Sequence, residues 1–234
     1  MTVTLTSRLE KAASLVGIPY SNPESDTITV ADIGCDHAYL SLYLVLSGKC
    51  NLAIASDLRE GPLKSAKENI SKFECKNKII PVHADGLDGI EEYSPSDILI
   101  CGMGGDTIIQ ILSRAEFIKK QGMRLILQPQ TAFAELALYL ADNGFKIHQE
   151  RYAHDRNKAY RIIAAEYIGQ PYELSIFDAL VGKPTYREDL ESYRFFCQKM
   201  LGKIEKKIIG ALNHNDDASA LIALRDEIAN SMKP

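Results

Sequence analysis

The stretch from Thr27 to Leu40 reads T-I-T-V-A-D-I-G-C-D-H-A-Y-L, and its reading decides the fold. Ile28, Thr29, Val30 and Ile33 form a β-branched run that stops at Asp32-Ile33-Gly34, and a helix-compatible segment bearing Ala and Leu follows. A short apolar run, a glycine and a helical pattern in that order describe a buried parallel strand turning sharply into a helix. In open α/β sheets a nucleotide-like ligand sits at such a first turn, outside the carboxyl ends of the strands. This turn is unusual in its charge, because Asp32 and Asp36 bracket its only glycine, Gly34.

Outward from that strand the chain alternates. Strands are expected at about Thr27–Ile33, Leu52–Asp57, Ile79–His83, Asp97–Cys101 and Arg124–Leu127, with helices near Ala38–Ser47, Pro62–Phe73, Thr107–Leu112 and Ala132–Asp142. Phe145–Tyr152 and Ala159–Tyr167 then read as two strands with no helix between them, so they pair antiparallel and one strand of an otherwise parallel sheet is reversed. Dinucleotide dehydrogenase sheets require no such reversal; those of S-adenosylmethionine-dependent methyltransferases do. Upstream, Leu5, Leu9, Ala12, Ala13 and Val16 form a helical stripe with Thr4 or Thr6 as the cap, and Ile18–Asp26, with two prolines, reads as a loop. After Ile168 the texture changes. Pro171 and Pro184 frame a linker, and Leu190, Tyr193, Cys197, Met200, Ile204, Ile208 and Leu212 then recur at helical steps. His214–Asp217 breaks that pattern, and Leu221, Leu224, Ile228 and Met232 make a second stripe, so two amphipathic helices form a coiled-coil-like hairpin. The expected architecture is an α/β, Rossmann-like methyltransferase sheet with a reversed last strand in residues 1–167, followed by a C-terminal α-helical domain in 168–234.

Composition narrows the class. The 234 residues are 46% hydrophobic and 25% charged, as in ordinary globular proteins. No apolar run approaches the ~20 residues that span a bilayer, and the N-terminus lacks a basic segment followed by an apolar one, so no membrane or secretory role is expected. The five cysteines are scattered and form no C-x-x-C, which indicates neither a disulfide framework nor a metal site and suits the cytoplasm. The formal net charge of −4 gives no global support for nucleic-acid binding, so any basic surface must be local.

The strand ends carry the chemistry. A dinucleotide fingerprint needs G-x-G-x-x-G, but from Gly34 the chain reads G-C-D-H-A-Y, with Asp36 at the second glycine and Tyr39 at the third. A carboxylate beside a diphosphate is repelled by roughly 1 kcal/mol at 4 Å even in water. S-adenosylmethionine has no phosphate and carries an ammonium and a sulfonium, which favour carboxylates. Asp57 ends the second strand, where an acidic side chain accepts ribose hydroxyls. Asp85, followed by Gly86, ends the third, where it can accept from the adenine amino group. Four acids at three successive strand ends converge on one edge of the sheet. The fourth end, Cys101-Gly102-Met103-Gly104-Gly105, frees backbone groups to approach a planar base. The expected cofactor residues are Asp32, Gly34, Cys35, Asp36, His37, Asp57, Asp85, Gly86, Gly102 and Met103. Those expected to act on the substrate are Asp36, Gly102, Met103 and Tyr152, the last by stacking on the base. Basic and aromatic residues interleave from Arg151 to Arg161, and lysines recur at near-helical spacing near residue 200. Arg151, Arg156, Lys158, Lys199, Lys203 and Lys207 are therefore the candidate RNA contacts.

The runs A-D-I-G-C-D-H-A-Y-L, A-D-G-L at Ala84–Leu87, C-G-M-G-G and L-I-L-Q-P-Q resemble the bacterial tRNA (adenine-22-N1)-methyltransferases over about Leu5–Tyr167. The resemblance implies a Rossmann-like catalytic domain with a C-terminal coiled-coil domain. It also implies S-adenosylmethionine as cofactor, tRNA as partner, and methylation of N1 of one adenine in the D arm. The N-P-P-Y-type loop of other amino methyltransferases is absent, and Gly102-Met103-Gly104 would take its place. Two other readings stay open. One is a methyltransferase acting on a small molecule or protein, with the helical hairpin as a dimerisation device; the other is a cofactor-binding scaffold without catalysis. Oligomeric state is not legible in the sequence.

Overall fold

A computed structural model describes residues 2–18 and 27–232; beyond Ile18, the expected loop through Asp26 lies outside the described residues. The chain runs α1 (Ser7–Ala13), β1 (Thr29–Ile33), α2 (Tyr39–Leu46), β2 (Leu52–Asp57), α3 (Glu60–Lys72), β3 (Ile79–His83), β4 (Asp97–Met103), α4 (Gly105–Arg114), β5 (Arg124–Pro129), α5 (Phe133–Asp142), β6 (Phe145–Asp155) and β7 (Lys158–Tyr167), then α6 (Ile176–Leu180), α7 (Leu190–Asn213) and α8 (Ser219–Ser231). The seven strands form one sheet in the order β3-β2-β1-β4-β5-β7-β6. β3, β2, β1, β4 and β5 are mutually parallel, whereas β7 runs antiparallel to both β5 and β6. The reversed strand is thus β7, seated inside the edge strand β6.

Side chains alternate across the sheet with the two-residue period of a strand. Val30, Ala53, Ala55, Leu99 and Ile126 face α1, α2 and α3. Ala31, Ile33, Ile54, Ile98, Ile100 and Leu127 face α4 and α5. Burial on both faces explains why β1 and β2 read as continuous apolar runs rather than alternating ones. The phase of β1 also sends Asp32 to the α2 side.

The C-terminal helices are present as expected, and Asp217 accepts the Ser219 backbone N–H at 2.8 Å at the start of α8. They share a third apolar cluster with the sheet: Tyr193, Phe196, Met200 and Ile204 of α7 pack with Phe133 of α5 and Tyr152 of β6. This packing corrects two expectations. Tyr152 has no exposed surface; its ring lies 5.0 Å from that of Tyr193, edge to face, and its hydroxyl donates to the Val181 carbonyl at 2.6 Å. It does not stack on a substrate base. Arg151 is 5% exposed and spent on an internal ion cluster, so it is not an RNA contact. Its Nε and Nη2 donate to Asp189 and Glu188, each at 2.8 Å, and its guanidinium lies 3.8 Å over the Tyr186 ring. Both residues turn inward because the hairpin is covered on both faces, by α1 on one side and by α7 on the other.

Asp189 is fully buried and holds three segments together. It receives Lys11 of α1, Arg151 of β6 and the backbone N–H of Tyr152. A second buried pair, Arg161–Glu150, is completed by the Ala179 carbonyl on Arg161 and the Lys183 N–H on Glu150. Removing one partner of a buried pair strands the other, at about 3–5 kcal/mol. Asp189→Ala is therefore expected to lower the unfolding free energy by that amount, and urea denaturation followed by circular dichroism measures it.

Candidate active site

β1 pairs with β2 on one side and β4 on the other, so chain connections leave it in opposite directions and open a crevice at the carboxyl ends. A cleft of about 480 Å³ lies there, and all ten expected cofactor residues line it. The geometry follows strand by strand. At the end of β1, Asp32 is buried and accepts the Ser41 hydroxyl of α2 at 2.7 Å. Burial outweighs that bond, and with Asp57 nearby the carboxyl is pushed up to about 6.

The following turn is tied to β2 by its backbone: the N–H groups of Gly34 and Cys35 both donate to the Ser56 carbonyl, at 2.8 and 2.9 Å. Gly34 has φ +72°, and a Cβ there would strike the Met103 side chain. Asp36 is also left-handed at φ 51°, a conformation that Asp tolerates better than most residues. A carboxylate thus occupies the position where the dinucleotide fingerprint has glycine. Its N–H donates to Asp57 Oδ2 at 3.2 Å, and its side chain stands at the rim, 3.7 Å from His37 Nε2. Asp57, buried at the end of β2, also accepts the Arg59 N–H at 2.9 Å. Asp85 is half-exposed and shares its carboxylate with Arg114 at 3.2 Å, a partner that the sequence did not announce. β4 ends in a bulge between Cys101 and Met103, with Gly102 at φ +86°. Burial, with Asp32 next, pushes the Cys101 thiol up to about 12, so it lines the cleft as a neutral group.

This arrangement fits S-adenosylmethionine. Asp32 can face an ammonium and Asp57, one strand over, can accept from a vicinal diol; the two arginines on the wall, Arg8 and Arg59, are engaged with Gln128 Oε1 at 2.9 Å and Asp57 Oδ1 at 3.6 Å. Among the described residues no group of three or more His, Cys, Asp or Glu side chains gathers to hold a metal ion. Sequence reasoning missed several residues of the wall: Arg8 and Leu9 of α1, Thr107 and Ile111 of α4, and Gln130 after β5. Arg8 donates to Gln128 Oε1 at 2.9 Å, and its guanidinium lies 5.9 Å from the Tyr160 ring centre. No local pattern signals that a helix preceding β1 will roof the ends of β4 and β5. L-I-L-Q-P-Q was visible, but it carried no assigned role.

A second cavity, of about 310 Å³, adjoins the first through Gln130 and is lined by Phe133, Lys158, Tyr160, Lys199 and Lys203. Three of the expected RNA contacts, Lys158, Lys199 and Lys203, therefore converge. Arg156 stands exposed in the β6–β7 turn and Lys207 lies one helical turn beyond Lys203, both outside this cavity. Lys199 lies 5.1 Å over the ring of Phe195 on its own helix and Lys203 5.6 Å over that of Phe133 on α5, while both lysines stay exposed.

Comparison with known proteins agrees with this geometry. The family model described as tRNA (adenine(22)-N(1))-methyltransferase matches residues 30–233. A curated Bacillus subtilis tRNA (adenine(22)-N(1))-methyltransferase is 35% identical over 137 residues, and the matched stretch spans 58% of this chain and 58% of that relative's length. A Streptococcus pneumoniae structure solved in complex with S-adenosyl-L-methionine is 32% identical, with TM-score 0.79 over 98% of this chain and 100% of that one. The crystal structure of a Bacillus subtilis tRNA methyltransferase superposes with TM-score 0.75 at 27% identity, over 99% of this chain and 97% of that one.

Asp32 makes the site pH-sensitive. A cationic ligand needs the ionised carboxylate, so S-adenosylmethionine affinity measured by calorimetry should fall as pH drops through about 6, and Asp32→Asn should flatten that profile. In the ligand-free protein the sign is opposite. The folded-state value lies above the ordinary 3.8, so stability declines as pH rises from about 4 to 6 and the full cost persists at neutrality. Asp32→Asn should therefore stabilise the free protein at pH 7, by up to roughly 3 kcal/mol in urea unfolding, while weakening cofactor binding. Asp57→Ala should abolish cofactor binding altogether.

Proposed function

This chain belongs to the tRNA (adenine(22)-N(1))-methyltransferase family, and on that premise we propose that it methylates N1 of adenine 22 in the D arm of tRNA, using S-adenosylmethionine. The observation that carries the reading is the adjacency of the two cavities. A cleft walled by acids at three strand ends opens, across Gln130, onto a pocket walled by Lys158, Lys199 and Lys203. The first suits a cationic cofactor and the second a polyanion. A lysine-lined neighbour favours RNA over a small-molecule substrate. The buried Asp32, held at a cost to stability, favours a cofactor-binding enzyme over an inert scaffold.

On this reading Asp32 holds the cofactor's ammonium, Asp57 its ribose hydroxyls and Asp85 its adenine edge, with Cys35, His37 and Gly86 closing around them. When bound, S-adenosylmethionine supplies a methyl on a sulfonium: the adenine N1 lone pair forms the new C–N bond, the C–S bond breaks with its electrons left on sulfur, and the positive charge passes to the base. Neutral adenine has its N1 lone pair available, so no general base is required and positioning supplies the acceleration. Gly102 and Met103 present backbone at the open end of β4, and Asp36 at the rim stands ready to offset the charge that develops on the base. N1 lies on the Watson–Crick edge, so the base must be unpaired and turned out, at a cost of a few kcal/mol. Residues 1–167 would carry the chemistry and 168–234 most of the lysine face, which Lys158 completes from the hairpin, with Arg156 and Lys207 extending the phosphate track. Such an enzyme would work on tRNA in the cytoplasm; among the described residues no helix is long and apolar enough to cross a membrane.

Incubation with unmodified tRNA transcript and labelled cofactor, followed by nucleoside analysis, tests the reading. It should yield 1-methyladenosine, and a transcript with guanine at the target position should give none. Methyl incorporation into another nucleoside would overturn it. Because α7 is part of the core, the RNA face is tested by point variants rather than by truncation. Lys199→Ala with Lys203→Ala should weaken tRNA binding and reduce the slope of log affinity against log salt by roughly 1–2, with cofactor affinity unchanged.

A further inference from the structure

Gln130 is shared by the two cavities, one acidic and one basic. Its backbone is pinned, since its N–H donates to the Met103 carbonyl at 2.8 Å and ties the end of β5 to the end of β4. Its exposed side-chain amide has no hydrogen-bond partner among the described residues. Gln128, two residues earlier, is the contrast: it is buried, its oxygen accepts from Arg8 at 2.9 Å and its nitrogen donates to the Pro129 carbonyl at 2.8 Å. One amide of the Q-P-Q run is structural and the other is uncommitted. Gln130 Nε2 stands 3.6 Å from where a Cβ on Gly102 would sit, so the uncommitted amide and the space at its free face adjoin the glycine turn that ends β4. That space is at the open end of β4, where the reacting base must come.

We propose that Gln130 reads the target base, its side-chain amide pairing with N6–H and N7 of adenine and so turning N1 toward the cofactor cleft. This inference rests on the tRNA reading above and deepens it. An amide offers one acceptor and one donor side by side, which matches the adenine N6–H and N7 pair. Guanine presents two acceptors, O6 and N7, on that edge, and the amide can satisfy only one of them. Pairing on the N6/N7 edge leaves N1 uncovered, whereas pairing on the Watson–Crick edge would occupy the nucleophile. Tyr160, on the wall of the second cavity, takes the stacking role that buried Tyr152 cannot fill. Arg8, whose guanidinium stands 3.3 Å from the same Gly102 Cβ position, closes the opposite side.

The test uses the full-length enzyme and tRNA transcripts carrying adenosine or 7-deazaadenosine at the target position, the second lacking the N7 acceptor. Wild-type enzyme should lose about 2- to 13-fold in kcat/KM on the 7-deaza transcript, the range for one hydrogen bond of the pair. Gln130→Ala should lose a larger factor on adenosine, about 5- to 150-fold for the whole bidentate contact, and show no further loss on 7-deazaadenosine. Its unfolding midpoint should match wild type, because the side chain is exposed. Equal wild-type rates on the two transcripts, or a 7-deaza penalty that persists in Gln130→Ala, would overturn the assignment of Gln130 while leaving the tRNA activity standing. No methylation of the adenosine transcript by wild-type enzyme would overturn the tRNA reading itself, and this inference with it.

Discussion

The parallel pairing of β1 with β2 and with β4 is the constraint from which the active site follows. Its register sets Asp32 beside Ala55 and Leu99, and Ile33 beside Ser56 and Ile100, so all three strands end at one edge, β2 one residue and β4 three residues beyond the level of Ile33. The Ser56 carbonyl then takes two N–H groups from the turn after β1, and Asp57 takes a third from Asp36. The turn is held by β2 rather than by its own sequence. Three left-handed residues, Gly34, Asp36 and Ala38, are the local consequence of bending a strand into a helix within so few residues.

That register also determines the electrostatics. Asp32 and Asp57 are both nearly buried at the mouth of a cleft, and Asp32 compensates for lost water only through Ser41, by its hydroxyl and its backbone N–H. A carboxylate held this way is unfavourable in the free protein and favourable once a cation is bound. On the proposed reading stability is exchanged for ligand affinity at one side chain, a familiar arrangement at functional sites. The chemistry asks for little else. If the substrate is an adenine N1, the nucleophile has its lone pair, and the remaining work is to hold cofactor and base in line.

A second set of charges decides which cations stay at the surface. Asp189 gathers Lys11 and Arg151, and Glu150 gathers Arg161, so cations that look available along the hairpin are taken up in clamping α1, β6 and the C-terminal segment together. Gly182 is required beside that second pair, because at φ +59° a side chain there would overlap Glu150 and Arg161. Of the six candidate RNA contacts, Arg156, Lys158, Lys199, Lys203 and Lys207 form no ion pair among the described residues, and only Arg151 is claimed by carboxylates. The C-terminal helices are thus both part of the core and the candidate RNA face.

Sequence by itself determined the strand–helix alternation, the reversed hairpin and the acids at the strand ends. These are local properties: a β-branched run, a glycine and an acid at a strand terminus take their meaning from neighbours a few residues away. All ten residues named for the cofactor cleft meet in it because a parallel sheet forces successive strand ends onto one edge. Tertiary structure alone decided which side chains of the hairpin point outward. A period-two pattern assumes one covered face, and here α1 and α7 cover both, which buried Tyr152 and Arg151 and left Tyr160 at the surface of the second cavity. It alone also brought Arg8 over Gly102 and separated the occupied amide of Gln128 from the free one of Gln130. Those placements depend on where a distant helix docks, and contacts across more than a hundred residues of chain leave no signature in the residues on either side of them.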